Sequence, residues 1–504
     1  MNEEELPALP KGWVWTTIDS LSFLNPGLQN KELSDDYEVS FLPMKNVEEL
    51  TGKIDLSITK RYSEVKKGFT SFIDGDIIFA KITPCMENGK IAIVGNLKNG
   101  IGFGSTEFHV IRLLEEIENK FIFFYVVRES FRKNAQQSMA GAVGQQRVPL
   151  NFIANSRVAV PPLPEQKCIV SKIEELFPHL DEGVSSLKKA KLELKCYRQS
   201  VLKAAFEGRL TEKWREAHKK ELEPASVLLE RIKVERKQKL GKKYKELSSL
   251  EAEDSRNLSN TWALVRFIDI VSHEKNSIKR GPFGSAIKKS FFVEKGYKVY
   301  EQRNAIYDDC TLGNYYLDDR KFKELEDFEV KPGDFIISCS GTIGKIAEIP
   351  ESAEKGVINQ ALLKITIEKR LILPKLFKYL FSSLGFQNKI LVETRGSAMK
   401  NISSVEDIKK FQLAIPSIQE QNQIILEIER RFTIADNIEK TIGENLKKTE
   451  RLRQSILKQA FEGKLVSQDP SDEPASVLLE RIKQEKARLE EEKKRSRKKG
   501  KKRL

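Results

Sequence analysis

Eleven residues, EPASVLLERIK, stand at 223–233 and again, letter for letter, at 473–483, 250 positions further on. Looser matches precede them in the same order. QSVLKAAFEG at 199–208 faces QSILKQAFEG at 454–463, and PPLPEQ at 161–166 faces PSIQEQ at 416–421, both 255 positions apart. DGDIIFAK at 74–81 faces PGDFIISC at 332–339, 258 positions apart. A period of this length is not that of a solenoid repeat. It requires duplication of a unit the size of a globular domain plus a helix, and so two related folds within 504 residues.

The pattern inside each copy changes sharply along the chain. Residues 1–163 mix short apolar runs bounded by glycine with one helical stretch. Strands are expected at 76–80, 91–94 and 108–111, and a helix at 121–131. After PPLP at 161–164, apolar residues fall at 173, 177, 180, 184, 187, 190, 194, 197, 201 and 205, in steps of three and four. This is the seam of a long amphipathic or coiled-coil helix over 164–210, bounded by the prolines and by Gly208. A charged helical segment and polar linker occupy 211–259. A second mixed α+β region fills 260–416, with a helix near 373–383. A second long helix spans 417–465, with its seam at 424, 428, 432, 435, 438, 442 and 446, then 452, 456 and 460. The remainder, 466–504, holds the second EPASVLLERIK and a basic tail. Neither long stripe is stable in water. The two helices are therefore expected to pack against each other as an antiparallel coiled coil; a core helix of an ordinary bundle is the alternative. The fold class is α+β, with a pseudo-two-fold internal repeat.

Composition narrows the function. No apolar run approaches the roughly 18 residues of a membrane span, and the start, MNEEE, lacks the basic-then-apolar order of a signal peptide. Five scattered cysteines without a Cys-x-x-Cys indicate reduced thiols of a cytoplasmic chain, and four isolated histidines offer no zinc site. The net charge of +14 points to nucleic acid, but the last twelve residues carry nine Lys/Arg, leaving only +5 on the rest. That tail suits either non-specific phosphate contact or a solvated, solubilising end.

At the level of motifs the chain resembles the specificity subunits of type I restriction–modification enzymes. The resemblance rests on GDIIFAKITPCMENGKIA at 75–92 and GSTEFHVIR at 104–112 in the first domain. RGPFGSAIK at 280–288, SGTIGKIA at 340–347 and INQALLK at 358–364 carry it in the second. The long helices add PLPEQ at their head, GRLTEKW at 208–214 and AFEGKL at 460–465. It covers essentially the whole chain. It implies a non-catalytic DNA reader: two target-recognition domains, each reading half of a split asymmetric duplex site, separated by two helices that dock two methyltransferase subunits. Those partners would use S-adenosylmethionine, and further restriction/translocase subunits ATP and Mg2+, leaving no cofactor in this chain. A methylation-only complex, or a duplicated coiled-coil scaffold whose globular domains bind protein, are the alternatives.

The residues agree that chemistry is missing. Asn25-Pro26-Gly27-Leu28 only faintly echoes a methyltransferase amino-group motif, and the run 341–345 lacks full phosphate-loop spacing. DNA contacts are expected from polar and basic residues on glycine-rich loops beside strands, where backbone can approach phosphate and side chains can reach base edges. In the first domain these are Lys81, Thr83, Lys90, Ser105, Thr106, Gln145, Gln146 and Arg147. In the second they are Lys279, Arg280, Ser285, Gln302, Arg303, Ser340, Thr342, Lys345, Arg395 and Lys400. Many such positions would serve as scaffold or phosphate contacts instead. In EPASVLLERIK, Val227, Leu228 and Ile232, with Val477, Leu478 and Ile482, form a short apolar face. It fits two identical partner-docking surfaces, or equivalent packing at two ends, or recent duplication. If the helices act as a ruler, four residues inserted into both add about 6 Å. The spacer of the recognised site should then lengthen by one or two base pairs, as methylome sequencing would show.

Overall fold

The computed structural model describes residues 7–28, 33–142, 144–241, 244, 258–393 and 400–501. Its contacts gather into two compact units, Met1–Lys188 with Gly443–Leu504, and Lys189–Ile442. Each unit takes a globular domain, the start of the long helix that follows it, the end of the other long helix, and one EPASVLLERIK helix. The copy at 473–483 belongs to the first unit and the copy at 223–233 to the second.

Within each unit the strands follow one plan. In the first, an antiparallel sheet runs Ser22–Leu24, Phe108–Leu113, Ile77–Ala80, Ile91–Ile93; in the second, Ile278–Arg280, Leu362–Ile365, Phe335–Ser338, Ile346–Glu348. A further sheet in each unit is built round a parallel pair, Glu38–Leu42 with Ile101–Gly104, and Tyr297–Tyr300 with Gly356–Ile358. A short ladder closes each domain, Val14–Thr17 on Arg157–Val160 and Ala263–Arg266 on Gln412–Ile415. The GD motif closes the turn before the central strand. Asp76 accepts from Ile73 N–H at 2.8 Å and grips Arg112 at 2.7 Å twice, whereas its counterpart Asp334 accepts from Lys331 N–H at 2.8 Å and from Thr366 Oγ1 at 2.5 Å. Lacking a cation of that kind, the Asp334 carboxyl is pushed above its ordinary range by burial.

The helix expected at 121–131 is in fact two, Asn119–Val127 and Glu129–Gln137, broken at Arg128 with ψ 141°. Its guanidinium lies 4.2 Å from the Tyr125 ring centroid and 4.5 Å from that of Phe461, which holds the corner by cation–π contact. The second unit repeats the corner at Ser383, between Pro374–Ser382 and Leu384–Ile390.

The long helices are Leu163–Phe206 and Ile418–Phe461, 44 residues each. In the second unit Lys191 meets Glu439 at 3.6 Å, Arg198 meets Asp436 at 2.6 Å, and Leu202 shares a core with Ile425. Rising numbers on one helix against falling numbers on the other make the pair antiparallel. In the first unit Arg453 pairs with Asp181 and stacks 4.3 Å from Phe177. The seam needs correction at three places: Tyr197, Ile438 and Leu452 are exposed. Charged pairs replace apolar packing beside the first two, and the buried stripe elsewhere takes neighbouring positions together, Val201 with Leu202, Ile424 with Ile425, Ile456 with Leu457. The periodicity also passes over Pro178, which lies inside the first helix and removes one backbone donor. Phe177 beside it packs edge-on against Phe124, with ring centroids 5.7 Å apart.

The EQ pair at the head of each long helix explains why that motif recurs. Gln166 donates to Pro161 O at 3.0 Å and accepts from Glu118 N–H at 3.1 Å; Gln421 donates to Pro416 O at 3.0 Å and accepts from Leu373 N–H at 2.8 Å. Glu165 accepts from Trp13 Nε1 at 3.0 Å, and Glu420 from Trp262 Nε1 at 2.8 Å. The copies then diverge. Glu420 also receives Arg215 at 2.7 Å and Thr211 at 2.8 Å, while among the described residues Glu165 receives, besides its tryptophan, only the neutral Gln468, at 3.3 Å. Burial accordingly pushes the Glu165 carboxyl above its ordinary range.

One substitution should therefore act in opposite directions. Glu420→Gln leaves Arg215 buried without its countercharge and should cost the second unit about 3–5 kcal/mol. Glu165→Gln removes no ion pair. An acid whose folded pKa is raised loses stability to its ionised unfolded form as pH climbs past the unfolded value, about 4.3. The Gln variant should gain on the wild type from that pH upward and then level off. Denaturation of both variants between pH 4 and 8 checks this.

Candidate nucleic-acid interface

In the first unit three loops meet at one end of the sheet Ser22–Leu24, Phe108–Leu113, Ile77–Ala80, Ile91–Ile93. Lys81 N–H donates to Glu107 O at 2.9 Å, Val148 N–H donates to Lys81 O at 2.8 Å, and Thr83 N–H donates to Gln146 O at 3.0 Å. Arg147 forms isolated bridges with Ile82 and Ala140. Lys81, Thr83, Ser105, Thr106, Gln145, Gln146 and Arg147 are thereby gathered, with Thr106, Gln145 and Arg147 the exposed members. Several are partly committed within the chain. Thr83 Oγ1 donates to Glu87 at 3.1 Å, Ser105 Oγ accepts from Glu107 N–H at 3.2 Å, and the Lys90 ammonium donates to Met44 O at 3.2 Å. Arg147 grips Glu107 bidentately at 2.9 and 2.8 Å, which holds that carboxyl below its ordinary range.

Beneath the loops lies His109, 6% exposed. Its Nε2 lies 2.9 Å from Val148 O, and its Nδ1 lies 3.4 Å from Asn25 Nδ2. Both contacts are satisfied by a neutral ring that donates from Nε2 and accepts at Nδ1. Burial lowers its pKa and keeps it so.

In the second unit the matching end is formed where Ile278–Arg280 and Phe335–Ser338 finish and Leu362–Ile365 and Ile346–Glu348 begin. Gly281 N–H donates to Leu362 O at 2.8 Å, and Cys339 N–H to Ala361 O at 2.8 Å. Gln302 reaches across from its own helix, donating to Ser340 O and, at 3.4 Å, to Thr342 O. Arg280, Ser285, Ser340, Thr342 and Lys345 are all exposed here. Two nominees are engaged elsewhere: Lys279 faces Asp327 at 3.8 Å and Arg303 pairs with Glu301 at 2.6 Å. Arg395 lies outside the described residues. Of Lys400 the structure describes the backbone, in the strand Lys400–Ile402. The Gly341–Lys345 turn leads into a strand, without the helix N-terminus a phosphate loop requires.

The structure adds Lys288 and Lys289, exposed on the same loop as Arg280, and Gln360, exposed at the head of the neighbouring strand. Lys288 stands inside the RGPFGSAIK motif, and Gln360 inside INQALLK. Among the described residues Arg280, Lys288, Lys289 and Lys345 have no carboxylate within 4.0 Å.

The apolar face of EPASVLLERIK is spent largely inside its own unit. Ile232 packs in the second unit's core with Leu228 against it, and Leu478 and Ile482 pack in the first unit's core. Val227 and Val477 alone among the six remain exposed, at 49% and 44%. The buried thiols of Cys310 and Cys339 are pushed up by burial to about 11 and about 12, which keeps them protonated. Among the described residues there is no group of three or more His, Cys, Asp or Glu fit to hold a metal, and no helix is long and apolar enough to cross a membrane.

Comparison with known proteins gives this doubled fold its family. The model of the type I restriction modification DNA specificity domain matches residues 10–190 and 282–448, more than half of the chain. The chain belongs to the specificity subunits of type I restriction–modification enzymes. It is 30% identical to the EcoAI specificity subunit of Escherichia coli over 393 residues, 68% of this chain and 64% of that relative's length. It is 26% identical to the EcoKI specificity subunit of Escherichia coli K12 over 95% of this chain and 96% of the relative. A solved chain from work on complex assembly and conformational transition of the type I R-M system shares the fold. Its TM-score is 0.64 at 18% identity, over 91% of this chain and 100% of that one.

The neutral His109 gives the first unit's loops a pH limit. A group whose folded pKa is depressed contributes stability that is full above its unfolded value, about 6.5, and lost as pH falls. The protection of the Lys81 and Val148 amides, taken relative to the intrinsic exchange rate at each pH, should therefore fall between pH 7 and pH 5 in the wild type. His109→Gln, which can make both contacts without titrating, should show a flatter response.

Proposed function

We propose that the chain is the non-catalytic DNA-reading subunit of its complex. Each globular domain binds one half of a bipartite, asymmetric duplex site with the loops described above, and two methyltransferase subunits dock on the helical parts. Those subunits supply methyl transfer from S-adenosylmethionine. Restriction/translocase subunits add ATP- and Mg2+-dependent steps where the complex also cleaves.

One observation carries this reading: a single strand topology occurs twice and presents different side chains at the same end. Lys81, Thr106, Gln145 and Arg147 stand there in one copy, and Arg280, Ser285, Ser340, Thr342 and Lys345 in the other. Common scaffold with divergent loops is what two readers of unlike half-sites require. The second unit's cations that have no carboxylate among the described residues suit phosphates, which fix register, while Ser, Thr and Gln reach base edges. For docking, the support is the pair Val227 and Val477, exposed in the letter-identical stretch that opens a helix in each unit.

Co-expression of the full chain with its methyltransferase subunit, followed by genome-wide mapping of methylated adenines, tests the proposal. The expected result is one split motif with two unlike halves. Alanine at Arg280, Lys288, Lys289 and Lys345 together should weaken binding steeply and flatten its salt dependence. Duplex binding without any enriched split motif would favour the protein-binding scaffold instead. S-adenosylmethionine binding by the purified chain alone would overturn the non-catalytic role.

A further inference from the structure

Phe283 is 91% exposed, the highest value among the exposed large hydrophobic side chains of the described residues. Its loop is fixed rather than loose. Gly281 is pressed against the neighbouring strand's turn, where an added Cβ would lie 1.8 Å from Asn359 O. Pro282 and Ile287 on either side are buried, and Ala286 N–H donates to Phe283 O at 2.8 Å. The phenyl ring is therefore held out into water by a braced turn. Arg280, Lys288 and Lys289 stand on the same loop and Lys345 on the turn between two further strands at the same end of the sheet; all four are exposed and, among the described residues, have no carboxylate within 4.0 Å.

An exposed apolar ring on a loop that also carries three exposed cations is poorly suited to a protein core or an apolar protein partner. It is suited to a surface that is anionic outside and aromatic within, which is the description of a nucleic-acid duplex. We infer that Phe283 is a wedge that enters the base stack of the half-site bound by the second domain, while the four cations hold the flanking phosphates. Apolar side chains of this kind part a base step and bend the duplex, so that sequence is read through the ease of unstacking. The corresponding loop of the first domain carries no such ring. The matching strand of the first domain leaves its sheet at Asn25-Pro26-Gly27, and no aromatic residue occurs between Leu24 and Tyr37.

This inference rests on the DNA-reading function proposed above, and its test separates the two. The full chain is co-purified with its methyltransferase subunits, and 2-aminopurine is placed in turn at each step of the mapped site other than the target adenines, which a methyltransferase flips out by itself. The wild-type complex should brighten the probe at one step of one half-site. Phe283→Ala should abolish that signal and weaken binding to the site tenfold or more, leaving binding to unrelated duplex within twofold. Phe283→Leu, still apolar and on an exposed position, should retain much of both effects. A probe that stays dim at every step, or a Phe283→Ala complex equal to wild type, overturns the wedge. If thymine-to-uracil replacement lowers wild-type affinity as Phe283→Ala does and no step brightens, Phe283 contacts a thymine methyl and the wedge is again overturned. Failure of the DNA-reading function itself looks different, since the wild-type complex would then select no split site at all.

Discussion

A buried carboxylate at the head of each long helix ties the rest of the structure together. Glu420 collects a tryptophan indole, an arginine and a threonine, and Glu165 a tryptophan and a glutamine amide. The tryptophans begin each globular domain, the carboxylates begin each long helix, and the remaining donors come from the segment after the other long helix. Three stretches distant in sequence are thus fixed at one point in each unit. A carboxylate placed at a helix start also opposes the partial positive charge of that terminus. The glutamine beside it satisfies backbone groups of the first helix-corner segment, so the angle at which the domain leaves the helix is set by the same two residues.

Much of this architecture was legible in the sequence. The steps of three and four marked both long helices, and four ordered matches marked the duplication. What could not be read was which parts pack with which. EPASVLLERIK follows the first domain in the chain but packs with the second, and nothing in a linear pattern encodes that exchange. Arg128 was equally silent: an arginine inside an apolar helix reads as a surface position, yet two aromatic rings hold it at a corner. The apolar face of the repeat showed the reverse error, because Ile232 and Ile482 look available until the domains they pack on are present.

The candidate interface divides in the same way. Glycine-rich loops beside strands were recognisable, and most of the polar residues named from them do come together. Their availability was not recognisable, since Arg147 and Lys279 face carboxylates supplied from elsewhere in the fold and Arg303 is held by Glu301 two residues before it. Phe283 was missed for a plain reason. A phenylalanine in a sequence reads as core, and only a loop braced by Gly281, Pro282 and Ile287 keeps it out of one.

The division into units also sets an order of assembly. The second unit is one continuous stretch, Lys189–Ile442, whereas the first closes only when residues from Gly443 onward join those up to Lys188. During synthesis the ribosome makes the first domain earliest, yet its helix partners Leu457 and Phe461, and the repeat helix with Ile482, emerge last. The second unit can complete its core while the first still waits with an apolar face open. The domain that is translated first is the one that finishes folding last, and that interval is when a chaperone or an early partner would find it exposed.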